Sequence, residues 1–164
     1  MLIKLKGIEM TGQVNYLEEA PELGQGYYVL HIQKDPFYSF YRWEDKDIEK
    51  RWLALHRVYP TKEDVVRAAE FVRNFYISHK EQLNYLTSEP EAGTKLWLDM
   101  NVMWSFGRPY IYFKYRDRDS FHQVLLETFQ LYGTREDLIK DMNLIIEALE
   151  KEYKKAHYPV SFNF

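Results

Sequence analysis

The sequence predicts an α+β fold, with an antiparallel sheet of four or five strands covered on one face by helices and assembled from two tandem ββαα units. Three observations predict it. Tyr59-Pro60-Thr61-Lys62-Glu63-Asp64-Val65-Val66-Arg67 and Tyr132-Gly133-Thr134-Arg135-Glu136-Asp137-Leu138-Ile139-Lys140 match in physical type, 73 positions apart (134 − 61 = 73). Such internal echoes are the signature of repeated supersecondary units. Each echo opens a long stripe of apolar residues at helical spacing. Each is preceded by short β-branched and aromatic runs bounded by Pro, Gly and Asp, the pattern of hairpins.

At the same spacing and without a gap, Val29 falls on Val102, Pro36 on Pro109, Phe40 on Phe113, Leu53 on Leu126 and Tyr85 on Tyr158. The expected organisation is one domain over 1–164, with pseudo-repeats at about 27–87 and 94–158. The boundary is set at the breaker Ser88-Glu89-Pro90-Glu91-Ala92-Gly93.

Taken in order, Leu2 to Met10 alternates and reads as a strand, and Thr11 to Gly26 reads as a loop. Tyr27–Gln33 and Phe37–Trp43 are the strands of a hairpin turned at Lys34-Asp35-Pro36. A helix capped by Asp45 or Asp47 runs to about Val58, with Ile48, Trp52 and Leu55 facing inward. Pro60 breaks it. Thr61 then caps a helix of about six turns, whose stripe runs from Val65 through Val72 and His79 to Leu83 and Leu86. In the second unit, Lys95–Trp104 and Tyr110–Tyr115 are the strands around Phe106-Gly107-Arg108-Pro109. Ser120 with Gln123 reads as a capping box, and Gly133 as a helix stop. Thr134 caps the final helix, whose inward stripe is Leu138, Met142, Ile145 and Leu149. Lys151, Lys154 and Lys155 suit the negative end of its dipole. The tail from His157 to Phe164 is expected to pack in extended form.

Composition narrows the function classes. The formal net charge is −3, so there is no global attraction to nucleic acid or to an anionic membrane. Cys is absent, which excludes disulfides, thiol catalysis and Cys-ligated metal. No stretch approaches the ~20 apolar residues of a membrane span, and Met1 to Met10 lacks a signal-peptide core, so a cytoplasmic location is expected by default. Phosphate-loop, dinucleotide, nucleophile-elbow and His-Glu-x-x-His motifs are all missing. No cofactor or metal is expected.

The chain holds 14 Tyr, 10 Phe and 4 Trp, more phenolic hydroxyls than a core readily satisfies. On the strand after Pro109, one parity carries Tyr110, Tyr112, Lys114, Arg116 and Arg118, an aromatic and basic stripe. In the first unit Phe37, Ser39, Tyr41 and Trp43 take the matching parity under the 73-residue spacing. The leading expectation is a non-enzymatic protein-binding module. It would be a stoichiometric inhibitor of the immunity or anti-defence type, docking through Tyr110, Tyr112, Lys114, Arg116, Arg118, Tyr41 and Trp43. The competing expectation for that face is internal packing under the loop 11–26 or the tail, or a homodimer interface.

Two other functional classes stay open. Gly107-Arg108-Pro109-Tyr110-Ile111-Tyr112-Phe113 resembles, over one strand, the aromatic strand of an RNA-recognition motif, which implies single-stranded nucleic-acid binding. The strand–helix–strand order of that fold is not the order read here. The third class is an enzyme without a local motif, using His31 or His122 with a carboxylate. Asp117, Asp119 and His122 form the one compact cluster of ligand-type side chains, and acidic residues at a helix start explain it without metal. His79 reads as a core histidine, and Glu49-Lys50-Arg51 as a solvated helix face.

Overall fold

The computed structural model describes residues 14–31, 37–99 and 110–156. The strand expected at Leu2–Met10, both hairpin tips with Pro36 and Pro109, and the tail from His157 lie outside the described residues.

The chain is mixed α+β, with four helices and eight strands in the described residues. The first half runs β1 (Val14–Leu17), β2 (Gly26–Leu30), β3 (Tyr38–Arg42), α1 (Asp47–Ala54), β4 (Val58–Tyr59) and α2 (Lys62–Ser78). The second runs β5 (Lys95–Asp99), β6 (Tyr110–Lys114), α3 (Ser120–Glu127), β7 (Leu131–Tyr132), α4 (Arg135–Glu152) and β8 (Tyr153–Ala156).

Among the described residues the expected single sheet of four or five strands is not formed. Three small sheets replace it: β3-β2-β4 and β6-β5-β7, both antiparallel, and β1 paired in parallel with β8. The loop expected over 11–26 therefore contains a strand. Each three-stranded sheet also carries helices on both faces rather than one. Tyr27, Val29 and Trp43 pack with Trp52 of α1 in one apolar cluster, while Leu30 and Tyr59 join α2 and α4 in the central core. In the second half Leu96, Leu98 and Tyr115 pack with Leu125 of α3. Alternation of strand side chains divides these residues between the two faces.

The long helices follow their stripes. Val65, Ala68, Ala69, Val72, Phe75 and Tyr76 of α2 are buried, as are Leu138, Met142, Ile145 and Leu149 of α4. The α2 helix is shorter than expected. It ends at His79, whose Nδ1 bonds the Phe75 carbonyl oxygen at 2.9 Å. Leu83 and Leu86 thus lie beyond the helix, and the Leu86 N–H donates to the Leu131 carbonyl of β7 at 2.8 Å. Lys154 and Lys155 lie on β8 rather than in the last turn of α4.

Thr61 and Thr134 hold the caps expected of them. Each hydroxyl accepts from the backbone N–H three residues on, at Asp64 (3.2 Å) and Asp137 (3.1 Å). Thr61→Ala and Thr134→Ala should each cost about 1 kcal/mol, read as a shift in urea midpoint at constant slope.

Helix α3 is capped one residue earlier than expected. The Asp119 carboxylate accepts from the N–H groups of Phe121 (3.0 Å) and His122 (3.2 Å), while Gln123 donates to the Asp117 carbonyl. These bonds, the His122 amide first, hold the Asp119 carboxyl below the usual carboxylate range. Its contribution is therefore present above the unfolded-state pKa and lost as pH falls through the lowered folded value. Asp119→Asn, which keeps a capping side chain, should leave neutral-pH stability nearly unchanged and flatten the acid limb of the stability–pH curve.

The α1 and α3 C-termini share a motif. His56 (φ 57) and Phe129 (φ 64) adopt the left-handed conformation. The N–H pairs His56→Leu53 and Arg57→Trp52, and Phe129→Leu126 and Gln130→Leu125, close both helix ends. The stop expected at Gly133 is thus supplied four residues earlier, at Phe129.

Candidate interaction site

The outer corner of the β5–β6 pair gathers aromatic and basic side chains. Trp97 pairs with Tyr112 across the strands, and Asp99 with Tyr110. The Trp97 ring lies 5.3 Å from the Tyr112 ring and 5.7 Å from that of Tyr110. The Lys95 ammonium sits 4.3 Å from the Tyr112 ring centroid and 4.9 Å from that of Trp97. Arg135, the first residue of α4, donates from Nε to the Tyr110 hydroxyl at 2.6 Å and covers its ring at 5.1 Å. Cation–ring contacts at exposed sites contribute about 0.5–1 kcal/mol each, enough to bias where Lys95 and Arg135 point.

Tyr112 is 63% exposed, the largest exposure of any described aromatic outside the core. Lys114, Arg116 and Arg118 are exposed, and Tyr110 is half-buried under Arg135. The basic stripe expected on this strand is therefore partly assembled. Arg118 lies in the turn after β6 and Arg116 is within 4.0 Å of the Asp119 carboxylate. Lys95, Trp97 and Arg135, which sequence reasoning did not select, complete the corner.

The first-half partners of that stripe need correction. Trp43 is buried, 2% exposed, against Tyr27. Tyr41 is exposed but packs on Trp52 of α1, on the opposite face of its sheet. The cross-strand register gives the cause. Tyr28 pairs with Phe40 and Tyr59 as Trp97 pairs with Tyr112 and Tyr132. The matching positions are thus 69 apart on the first strand (97 − 28 = 69) and 72 on the second (112 − 40 = 72), not 73. A shift of one residue exchanges the two faces of a strand. The counterparts of Tyr110, Tyr112 and Lys114 are Tyr38, Phe40 and Arg42.

His122 is a loop anchor. Its Nδ1 accepts from the Arg116 N–H at 3.0 Å, and its ring packs against Phe113 at 4.4 Å. Glu49 does the same work in α1, accepting from the N–H groups of Glu44 and Lys46 and from the Tyr27 hydroxyl at 2.7 Å. Glu49 is therefore buried, not solvated as expected, whereas Lys50 and Arg51 are exposed. Its hydrogen bond to Tyr27, with burial first, pushes that phenol well up. His31 is half-buried at the end of β2, with its N–H on the Phe37 carbonyl. Among the described residues no three His, Asp or Glu side chains are gathered as metal ligands would be.

One histidine–carboxylate pair was not anticipated. His56 Nδ1 contacts both Glu150 oxygens, at 3.0 and 3.1 Å, and its ring lies 4.5 Å from Tyr16. The pair joins the α1–β4 turn to α4. The strained backbone at His56 recurs at Phe129, so it belongs to the helix-stop motif rather than to chemistry at the imidazole.

Among the described residues, no helix is long and apolar enough to cross a membrane. Comparison with protein-family models, with curated proteins and with solved structures gave no match.

Proposed function

We propose that this chain is a non-catalytic protein-binding module, derived from a duplicated ββαβα unit, that docks a partner stoichiometrically through the β5–β6 corner, as an inhibitor or adaptor does. The observation that carries the proposal is Tyr112, an exposed ring held between Trp97 and the Lys95 ammonium. Large amphipathic rings beside fixed cations are the usual energetic centres of protein interfaces. Lys114 and Arg116 extend the positive rim, which speeds encounter with an acidic surface. The alternative catalytic residue His122 already spends its Nδ1 lone pair on the loop backbone, which supports binding over catalysis.

Capture from the lysate of the source cells tests this reading. The wild-type chain should retain a protein in nuclease-treated lysate, and the Tyr112→Ala/Lys95→Glu double variant should lose it while keeping its far-ultraviolet dichroism. Charge reversal of Arg116 and Arg118 together should weaken the same capture at low salt and matter less at high salt, where the Debye length is about 3 Å at 1 M. Retention by the double variant equal to wild type would remove the corner from consideration. Retention that disappears with nuclease would identify the partner as nucleic acid.

A further inference from the structure

Resting on that reading, we infer that the β2–β3 corner is a second docking subsite of the same design, and that the partner is a protein presenting two acidic, apolar-flanked patches. The first half repeats the arrangement element by element. Tyr28 stands between Tyr38 (5.5 Å) and Phe40 (5.2 Å), as Trp97 stands between Tyr110 and Tyr112. Lys62, the first residue of α2, lies over Tyr38 at 5.9 Å, as Arg135 of α4 lies over Tyr110. Arg42 lies over Phe40 at 5.9 Å and anchors itself on the Gly24 carbonyl at 3.1 Å.

The outermost ring is exposed in both halves, Phe40 at 49% and Tyr112 at 63%. The inner rings, Tyr28 and Tyr38, Trp97 and Tyr110, all pack against one shared core. The two corners therefore border the same core.

The corners differ at one position. Gly26 pairs with Arg42 as Lys95 pairs with Lys114. A Cβ at Gly26 would meet the Phe40 ring at 2.4 Å. Glycine lets that ring lie flat on the strand, so the first corner is more apolar and the second more basic.

Charge and ring geometry select the occupant. Arg42, Lys62, Lys95, Lys114 and Arg135 concentrate positive charge at the corners of a chain whose formal net charge is −3. That complements carboxylates without a global pull toward polyanions. The Lys95 ammonium already occupies a face of Tyr112. A nucleic-acid base would have to displace it in order to stack there, whereas a carboxylate can add to it in place.

The test uses a fluorescein-labelled peptide of glutamate alternating with leucine and phenylalanine. It is supplied singly or in tandem through a Gly/Ser linker of about 20 residues, with labelled oligothymidylate as the competing class. Anisotropy at low salt should show the tandem peptide binding at least about tenfold more tightly than the single one, as simultaneous engagement requires. Arg42→Glu should abolish that gain and change single-peptide affinity by no more than about twofold, because the more basic β5–β6 corner carries most of the binding of a single acidic peptide. Lys95→Glu should weaken both peptides by about tenfold. Dichroism checks that each variant is folded, and Phe40→Ser provides an uncharged second variant at the same corner. A tandem gain that survives both Arg42→Glu and Phe40→Ser overturns the second subsite. So does Lys95-dependent binding of the single peptide with no tandem gain, and in that case the β5–β6 reading stands. Failure of the single peptide to bind overturns both readings. Tighter binding of oligothymidylate than of the tandem peptide overturns the choice of a protein partner.

Discussion

Replacing Arg57 with alanine is expected to cost about 3–5 kcal/mol of folding stability, the usual consequence of removing one member of a buried charged network. Arg57 is 2% exposed and lies just after the α1 stop motif. Its guanidinium donates to the Tyr153 hydroxyl at 3.2 Å, and the Tyr153 and Tyr59 hydroxyls are 2.6 Å apart. Burial opposes the charge. The oxygens of Tyr153 and Tyr59 and the carboxylates of Glu150 and Asp99 more than offset it, so the cation persists. Burial in turn pushes the Tyr59 and Tyr153 phenols up, so both stay neutral, one hydroxyl donating to the other. This network ties the first half to the end of α4. Removing the cation leaves those oxygens and carboxylates without their shared counter-charge. Arg57→Met, which preserves most of the volume, should recover part of the loss because dispersion replaces ionic contact. Urea denaturation monitored by fluorescence and by dichroism measures both variants. A cost below about 1 kcal/mol for Arg57→Ala would mean that the network adds nothing beyond packing. The position has no charged counterpart in the second half, where buried Gln130 stands instead and donates to the Thr128 hydroxyl.

What the sequence revealed, and what it hid, follows from where the two halves keep step. From α1 onward the spacing is constant: Asp47 and Ser120, Val58 and Leu131, and Lys62 and Arg135 all stand 73 apart (135 − 62 = 73). Periodicity and the Thr caps are local properties, so they were legible there. The hairpins are not in step, because the connection from Leu30 to Tyr38 is shorter than that from Asp99 to Tyr110. A fixed spacing therefore put Trp43 and Tyr41 on the wrong face. The two-residue strands β4 and β7 carry too few residues for any alternation to show. Separation into three sheets is set by long-range pairing such as Val14 with Tyr153, which no local pattern encodes. One signal was available and missed. Asn15-Tyr16-Leu17 followed by Pro21, Glu22 and Gly24 is matched by Asn84-Tyr85-Leu86 followed by Pro90, Glu91 and Gly93, all 69 apart (84 − 15 = 69). Gly24 and Gly93 both sit at positive φ, 85° and 87°, where only glycine is unstrained. A search allowing one gap would have aligned Trp97 with Tyr28 and placed Lys95 at the candidate site.

Those two asparagines carry the second large expectation: Asp64→Ala and Asp141→Ala should each cost about 2–4 kcal/mol, because each removes the acceptor of two part-buried donors. The Asn15 N–H and Nδ2 both donate to Asp64 Oδ1 at 3.0 Å. The Asn84 N–H donates to Asp141 Oδ2 at 2.7 Å, and its Nδ2 to Oδ1 at 3.0 Å. Each clasp fixes the segment entering a half to that half's long helix. Burial holds the Asp141 carboxyl above its ordinary range, and the Asn84 bonds pull against that. The acceptors are not at matching positions. Asp137 is the counterpart of Asp64 by spacing, whereas the clasp in the second half uses Asp141, one helical turn further on. The discriminating control is Asp137→Ala. It removes only a first-turn carboxylate and should cost no more than about 1 kcal/mol. Near-equal losses for Asp64→Ala and Asp141→Ala, with little at Asp137, would mean that the two clasps hold their halves equally from positions one helical turn out of step. A large loss at Asp137 with little at Asp141 would mean that spacing, not the observed hydrogen bonds, identifies the residue that matters.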